Sequence, residues 1–419
     1  MTETPSTLAP SDRVRDYTRR FQRFLDDEVA PLEKALAGKG VGSAWQPHKD
    51  AAGRMHPTVW EARREVQRRA GAQGLYAPHI GAEFGGGGFG RVEMQYVEEF
   101  VYRQSGLGLG LAALAWTEGP YPACEHLSPA LRERVLTPLI EGQLTLAFAN
   151  TEPSVGSDVL GMSTHAKRDG NDWIINGRKA WITNAHFCDV VLLVAVTEPD
   201  AHTKSLTMFL VDTKTPGFRH GVDIPTMLDD GLTGELELEN VRVPAENVVG
   251  EVGDGFALAM SCINWRRLGR GGMCAGWGRW LVDRALEYSQ RRTSGGKPIG
   301  DYQAVQHLIA RMDMDVYQAR AASLIAQAEL DQLGPFKQPL HHDVPRLISL
   351  VKLINDEAFY RVADNAVQVH GATGLRLGSP EEKLFRIARN LRIPAGTTEI
   401  QLNAISRGLY RKSQEQRAR

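Results

Sequence analysis

The chain has 419 residues, enough for two or three domains or one large layered subunit. Its 49 basic and 50 acidic side chains leave a formal net charge of -1, which gives no basic excess for nucleic acid. No run is apolar for long enough to cross a bilayer, and the first residues lack the basic-then-apolar order of a secretory leader, so a cytoplasmic protein with no membrane partner is expected.

Helix dominates the first part of the sequence. Val14 to Ala35 carries Phe21, Phe24, Leu25 and Val29 at helical spacing, and Pro31 breaks or restarts the run. Thr58 to Ala70 is a second helix, ended by Gly71 and Gly74. Gly85-Gly86-Gly87-Gly88 with Phe89-Gly90 is a flexible or tightly turned element before a helix at Val92 to Arg103. It matches no phosphate-binding glycine loop.

After Gln143 the texture turns to strands. Trp173 to Ile182 alternates bulky and polar residues around a glycine turn at Gly177. Val190 to Val196 and Leu206 to Val211 read as strands, with two short ones at Leu236 to Glu239 and Val241 to Val243. From Phe256 helix returns, with candidates at Leu281 to Arg291, Ala304 to Leu330, Leu347 to Val369 and Ser379 to Leu391. The break from Gln332 to Val344 holds His341-His342, which has no companion ligand at helical spacing. Cys124, Cys188, Cys262 and Cys274 are scattered, with no CxxC pair, so buried thiols and no metal are expected. The pattern is an α+β chain. Residues 1–145 form an N-terminal helical domain, 146–255 a middle β domain, and 256–419 a C-terminal helical domain of four-helix-bundle type.

An ordered set of short strings runs through this frame. Phe148-Ala149-Asn150-Thr151-Glu152-Pro153-Ser154-Val155-Gly156-Ser157-Asp158 comes first. Asn176-Gly177-Arg178-Lys179 and Trp181-Ile182-Thr183-Asn184 follow, then Arg242-Val243-Pro244 and Gly255-Phe256. The second half adds Arg292, Gln303, Gln368-Val369-His370-Gly371-Ala372-Thr373-Gly374, Arg386 and Ala395-Gly396-Thr397-Thr398-Glu399-Ile400-Gln401. In kind, order and coverage the set resembles the acyl-CoA dehydrogenase superfamily of FAD enzymes.

The resemblance implies that Phe148, Asn150, Thr151, Trp181 and Thr183 line the flavin, with Gly156 and Ser157 in a loop that also meets the acyl thioester or CoA. An isoalloxazine ring needs a rigid apolar bed and short hydroxyls at its polar edge, which Trp181, Thr151 and Thr183 offer. Arg292 and Gln303 are implied to hold the phosphate or adenosine portion across a subunit interface, where a forked guanidinium suits pyrophosphate. Gln368, Gly371, Thr397 and Glu399 complete that part. A homodimer or homotetramer acting on an acyl-CoA or acyl-carrier-protein thioester is implied, with an electron-transfer flavoprotein among its candidate partners. Two departures stand out: Asn150 replaces an apolar residue, and Gly295-Gly296 replaces an aromatic-glycine pair.

The family's usual proton-abstracting Glu precedes Gly-Thr. Here that position is Ala395, which cannot accept a proton. The alternative position, before an Arg on a helix of the second half, is Arg266 in Arg266-Arg267. An Arg is no general base. Three explanations remain open. Another carboxylate, Glu118 or Glu93, supplies the base. A β-leaving group such as a sulfinate departs without one, with Arg91 or Arg266 binding the anion. Or the chain is a silent partner of an active homologue. Oxygen activation by reduced flavin, as in monooxygenase-like relatives, fits Ala395 as well. An apolar pocket closed by Trp116, the Gly-rich segment and the helix bearing Arg266 is expected.

Overall fold

The computed structural model describes residues 9–199, 201–333 and 343–417. The pair His341-His342 and most of the break around it lie outside these residues.

The N-terminal helices are α1 (Asp12–Phe24), α2 (Ala30–Ala37), α3 (Pro57–Ala72) and α4 (Arg91–Ser105), followed by the short α5 (Pro129–Leu131) and α6 (Thr137–Ile140). A wide π turn, Leu25–Val29, joins α1 to α2, so Pro31 restarts the helix in a first turn, where its missing N–H is tolerated. The Gly-rich segment is tight rather than loose. Gly87 N donates to Ala77 O, Gly88 N to Ile80 O at 2.7 Å and Phe89 N to Pro78 O at 2.9 Å.

The strands are β1 (Leu146–Ala149), β2 (His165–Asp169), β3 (Asp172–Thr183), β4 (Val190–Val196), β5 (Leu206–Asp212), β6 (Phe218–Asp223), β7 (Thr233–Pro244) and β8 (Val248–Val249). They form one sheet ordered β6-β7-β3-β2-β4-β5-β8, with β1 parallel to β4. Two expectations are corrected. Gly177 makes no turn but lies inside β3, at a shift in register with β7. A Cβ there would come within 2.4 Å of Thr164 Oγ1, and its φ of 150° excludes most side chains. The two short strands near Leu236 and Val241 are one strand, β7, which passes through Asn240 at φ 52°.

The last third holds α7 (Gly255–Leu268), α8 (Arg270–Arg291), α9 (Gln303–Gln332), α10 (Val344–His370), α11 (Pro380–Leu391) and α12 (Thr398–Arg417). Between α8 and α9 a hairpin of β9 (Thr293–Ser294) and β10 (Lys297–Pro298) turns on Gly295 and Gly296, both at positive φ. No described helix is long and apolar enough to cross a membrane.

Packing divides the chain into two compact units that do not follow the three stretches in chain order. The helical unit takes the described residues of Met1–Arg23, Gly90–Leu107 and Arg266–Arg419. The sheet unit takes Phe24–Phe89 and Gly108–Trp265. In the helical unit α4 packs with α8 and α9, and α10 packs with the same two helices. Helix α4 comes close to α8 because Gly272 and Gly276 face it. A Cβ at Gly272 would sit 2.4 Å from Glu98 Cβ, and one at Gly276 2.5 Å from Glu99 O. In the sheet unit Trp173, Ile175, Leu193, Phe209, Leu236 and Val241 form the core, each fully buried aromatic or aliphatic side chain contributing about 1.5–3 kcal/mol.

Candidate functional site

The strings expected to line a flavin meet at the ends of two strands of the sheet unit. β1 delivers Phe148, Asn150 and Thr151, while β3 delivers Trp181 and Thr183. Ala180 N donates to Thr151 O at 3.0 Å, which stitches the two segments together. Trp181 sits at a shift in the β3–β7 register with φ 61°, and its indole is 57% exposed. That backbone is strained for a bulky residue. It turns a large apolar face outward beside two half-buried threonines. Gly156 and Ser157 are exposed in the loop after β1.

Beneath these residues lies an ion pair that the sequence reading quoted but did not assign. Lys179 and Glu152 are both buried, with Nζ 2.9 Å from Oε1. Nζ also donates to Asn150 O at 3.1 Å. Glu152 accepts from Ser163 N and Oγ, both at 2.7 Å, and from Thr164 N at 2.9 Å. Burial alone would raise the Glu152 pKa, but the Lys179 charge and these donors outweigh it and hold the carboxyl at about 2. Burial brings Lys179 down to about 8, so the pair is ionised at neutral pH. The pair fixes the carbonyl of Asn150, whose buried Oδ1 has no protein partner.

Nearby in the same unit, five rings gather from distant parts of the chain. His79 stacks on Trp265 at 4.5 Å between centroids. Trp116 and Tyr121 each lie 5.2 Å from Trp265, and Tyr121 lies 5.6 Å from Phe148. Trp116, the Gly-rich region and the helix carrying Trp265 thus come together. Glu118 does not join them as an open carboxylate. Its side chain is buried against Arg63 in a short ion pair. Burial pushes its pKa up, but Arg63's charge and hydrogen bond push it down further, to below the usual value. The carboxylate is a structural partner, which weighs against its use as the base.

In the helical unit the position of the missing Glu is well formed. Ala395 has φ 60°, and its carbonyl accepts from Arg267 Nε at 2.8 Å and from Gln401 Nε2 at 3.3 Å. Gln401 also donates to Gly396 O at 3.0 Å. Burial lowers the Arg267 pKa to about 10, leaving it cationic at neutral pH. The preceding Arg392 pairs with Glu357 at 2.8 Å, to which Thr398 Oγ1 also donates. The loop is therefore held through its main chain while its side chain is a methyl group. Arg266 is half-buried in the last turn of α7. Two other expectations are redirected. Arg91 donates to Leu330 O at 2.6 Å and pairs with Asp331, so its guanidinium is engaged rather than open to an anion. Glu93 caps its own helix through Gly90 N at 3.1 Å, accepts from Ser11 Oγ and lies 3.6 Å from Arg13. It is a helix cap, which argues against a base.

The remaining candidates are spread through the helical unit. Arg292 caps the C-terminus of α8 and Gln303 opens α9, both exposed. Gln368 and Gly371 lie at the end of α10, and Thr397 and Glu399 at the start of α12. A hydrogen bond from its own backbone N–H and one from Thr397 lower the Glu399 pKa. Beside the end of α10 opens a cleft of about 510 Å³, lined by Tyr288, Arg291, His370, Thr373, Arg376 and Glu381 among others. Among the described residues no group of three or more His, Cys, Asp or Glu side chains is placed to hold a metal.

Three family models together match most of the chain: the acyl-CoA dehydrogenase N-terminal domain over residues 11–143, the middle domain over 147–241 and the C-terminal domain over 253–410. The chain belongs to the acyl-CoA dehydrogenase family. Among curated proteins it is 33% identical to cyclohex-1-ene-1-carbonyl-CoA dehydrogenase of Geobacter metallireducens, covering 80% of this chain and 87% of that one. It is 30% identical to 3-(aryl)acrylate reductase of Clostridium sporogenes, covering 83% and 90%. Among solved structures it resembles a glutaryl-CoA dehydrogenase from Mycobacterium smegmatis in complex with FADH2, with TM-score 0.77, 25% identity and coverage of 96% and 95%. The protein is an acyl-CoA dehydrogenase-like flavoenzyme. Its residues fit a flavin: an outward indole, two hydroxyls and an unpartnered buried amide oxygen at Asn150 converge where the family's strings lie.

Sequence reasoning missed His79, Tyr121 and Trp265, the roles of Lys179 and Gln401, and helix α12. Lys179 carried a signal, since a lysine buried in a strand demands a carboxylate and Glu152 stood in the other quoted string.

Proposed function

We propose that this enzyme uses FAD to introduce an α,β double bond into an acyl-CoA or acyl-carrier-protein thioester, with a proton acceptor other than residue 395. The observation that carries the reading is the flavin string, stitched by Ala180 and Thr151 and underpinned by Lys179 and Glu152. In this reading Phe148, Asn150, Thr151, Trp181 and Thr183 hold the isoalloxazine, and Gly156 and Ser157 border the thioester. Arg292, Gln303, Gln368, Gly371, Thr397 and Glu399 hold the phosphates and adenosine, part of them across the interface of a homodimer or homotetramer. Residues 1–145, 146–255 and 256–419 are its domains, and the cytoplasm is its compartment. These flavin-site residues would hold FAD, which when bound would supply two-electron chemistry able to take up a hydride from the β-carbon, with an electron-transfer flavoprotein as the partner that would reoxidise it. Trp181 shields the reacting carbons from water, and the Thr151 and Thr183 hydroxyls orient their polar neighbours. The names of the two curated relatives, a cyclohexene carbonyl-CoA enzyme and an arylacrylate enzyme, favour a ring-bearing acyl group.

Anaerobic titration with a panel of acyl-CoA thioesters, followed through visible flavin absorption, tests the reading. Bleaching is expected. A yellow protein that binds thioesters and is reduced by none of them sinks the desaturation. Ala395→Glu restores a carboxylate to a loop whose carbonyl is already held, so desaturation is expected to rise at least tenfold with FAD content unchanged. The methyl at 395, together with the pairing of Glu118, favours one second reading: flavin-assisted elimination, such as desulfination of a sulfinoacyl-CoA, in which no α-proton leaves.

A further inference from the structure

The cleft of about 510 Å³ beside the end of α10 has no part in the reading above. One wall is α8, where Arg284, Glu287, Tyr288 and Arg291 recur at helical spacing and so share a face. The other is the loop from Thr373 to Ser379 with the start of α11. None of Arg292, Gln303, Gln368, Gly371, Thr397 and Glu399, the residues proposed to hold the phosphates and adenosine of FAD, lines it. Gln368 is exposed two residues before the buried His370, which puts it about 200° round the helix and on the side away from the cleft.

The floor of the cleft is built. Tyr288 and His370 lie ring to ring at 4.4 Å, and Thr373 Oγ1 bonds to the Tyr288 hydroxyl at 3.3 Å and to His370 O at 2.7 Å. Arg284 lies over the Trp280 ring and donates to Glu381 Oε1 at 2.7 Å, while His370 Nε2 is 3.4 Å from the same oxygen. The buried Glu381 carboxyl is thus matched within the floor. Two cations are left above it. Arg376 has no ion-pair partner among the described residues, and Arg291 holds only Glu287, at 3.3 Å, in an exposed pair that costs little to exchange. Arg291 stands three residues after Tyr288 and Arg376 three after Thr373, so the two flank the bonded hydroxyls. Helix α11 adds its N-terminus, capped by Ser379 Oγ accepting from Glu382 N at 3.2 Å, and its dipole favours an anion. The half-buried Tyr288 ring, Leu377 and Pro380 offer a bed for a flat ring.

We propose that this cleft is a nucleotide site separate from that of FAD, which takes a nucleoside diphosphate with its base on Tyr288 and its phosphates between Arg291 and Arg376. A guanidinium grips a phosphate through two parallel hydrogen bonds, so two guanidiniums suit two phosphates. The volume suits a ligand of that size. A free nucleotide and the nucleotide end of CoA share this chemistry. The site goes beyond the desaturation reading and does not depend on it.

Calorimetric titration of the FAD-loaded protein with ADP, adenosine, inorganic pyrophosphate and CoA tests the proposal. ADP is expected to bind at least tenfold more tightly than adenosine or pyrophosphate, since ADP alone of the three uses both the ring bed and the arginines. Arg376→Gln should weaken ADP about tenfold with FAD content unchanged. Arg291→Gln should do the same, and serves if the first variant does not fold. CoA binding weakened in parallel supports the site with CoA as the source; CoA binding untouched by either variant supports it with a free nucleotide as the source. Absence of ADP binding overturns the inference, as does an ADP affinity that neither variant changes. Release of FAD by ADP overturns it too, by assigning the ADP to the flavin's own site, and so does pyrophosphate that binds as tightly as ADP, which leaves an anion patch with no seat for a base.

Discussion

Each unit buries charged side chains, and the two manage them in opposite ways. In the sheet unit Lys179 and Glu152 have a full set of partners, and the carboxyl is driven far below its ordinary pKa. In the helical unit Glu98 lies buried on α4, where desolvation raises its pKa to about 8 and only the charge of Arg270 opposes the rise. Arg270 in turn is 3.5 Å from Asp356, whose other oxygen takes Lys352 at 2.7 Å, and neither Arg270 Nε nor Asp356 Oδ1 completes a hydrogen bond. Burying a charge is tolerable when each lone pair and proton has a partner, and otherwise the group neutralises. The sheet therefore uses an ionised pair to fix the strand ends that carry Asn150 and Lys179. The bundle holds a carboxylic acid that is largely protonated at neutral pH.

The largest effect expected from this contrast is at Lys179. Lys179→Met strands Glu152 without its cation and should destabilise the protein by about 3–5 kcal/mol. A fall in melting temperature should come with loss of FAD on gel filtration, because the carbonyl of Asn150 is released as well. An unchanged melting temperature would erase the distinction between the two units.

The pH dependences should have opposite signs. Glu98 binds its proton more tightly folded than unfolded, with its pKa raised from 4.5 to about 8. Its contribution is complete below pH 4.5 and declines as the pH rises through 8, by roughly 4 kcal/mol over the window. Glu98→Gln should flatten that slope in urea titrations at several pH values. Glu152 behaves in reverse, with its folded pKa lowered from 4.5 to about 2. Its contribution is present above pH 4.5 and is lost as the pH falls toward 2, by about 3 kcal/mol. Glu152→Gln should remove this acid-side slope. A wild-type profile with one sign of slope throughout both windows would contradict the pairing of the two units.

The smallest effect should come from the loop. Ala395→Gly relieves a left-handed alanine and is expected to stabilise the helical unit by about 1 kcal/mol, read as a small rise in melting temperature.

Much of the fold was readable from periodicity alone. The spacing of Leu347 to Val369 and of Ala304 to Leu330 is helical throughout, and α10 and α9 lie there within a few residues. The residues proposed to hold the flavin are nearly linear in the chain: Asn150, Thr151, Trp181 and Thr183 fall in two short stretches. What sequence concealed was tertiary. Gly177 looked like a turn because its close neighbour, Thr164, lies on the approach to another strand. Gly272 and Gly276 carry no signal of their own in the sequence, and their role shows only with α4 packed against them. Residues 79, 116, 121, 148 and 265 share one ring cluster, and nothing in their spacing pairs them. Glu118 looked available because its partner, Arg63, stands 55 positions away.

The loop at Ala395 is grasped by its carbonyls, with Arg267 and Gln401 both binding main chain. Neither bond to its carbonyl involves the side chain of residue 395. What folding asks of residue 395 is therefore chiefly a left-handed backbone, a preference worth about 1 kcal/mol among side chains without a branched Cβ. Exchange of one unbranched side chain for another at that codon is expected to leave the loop in place, so a lineage can try side chains there without first passing through an unstable intermediate.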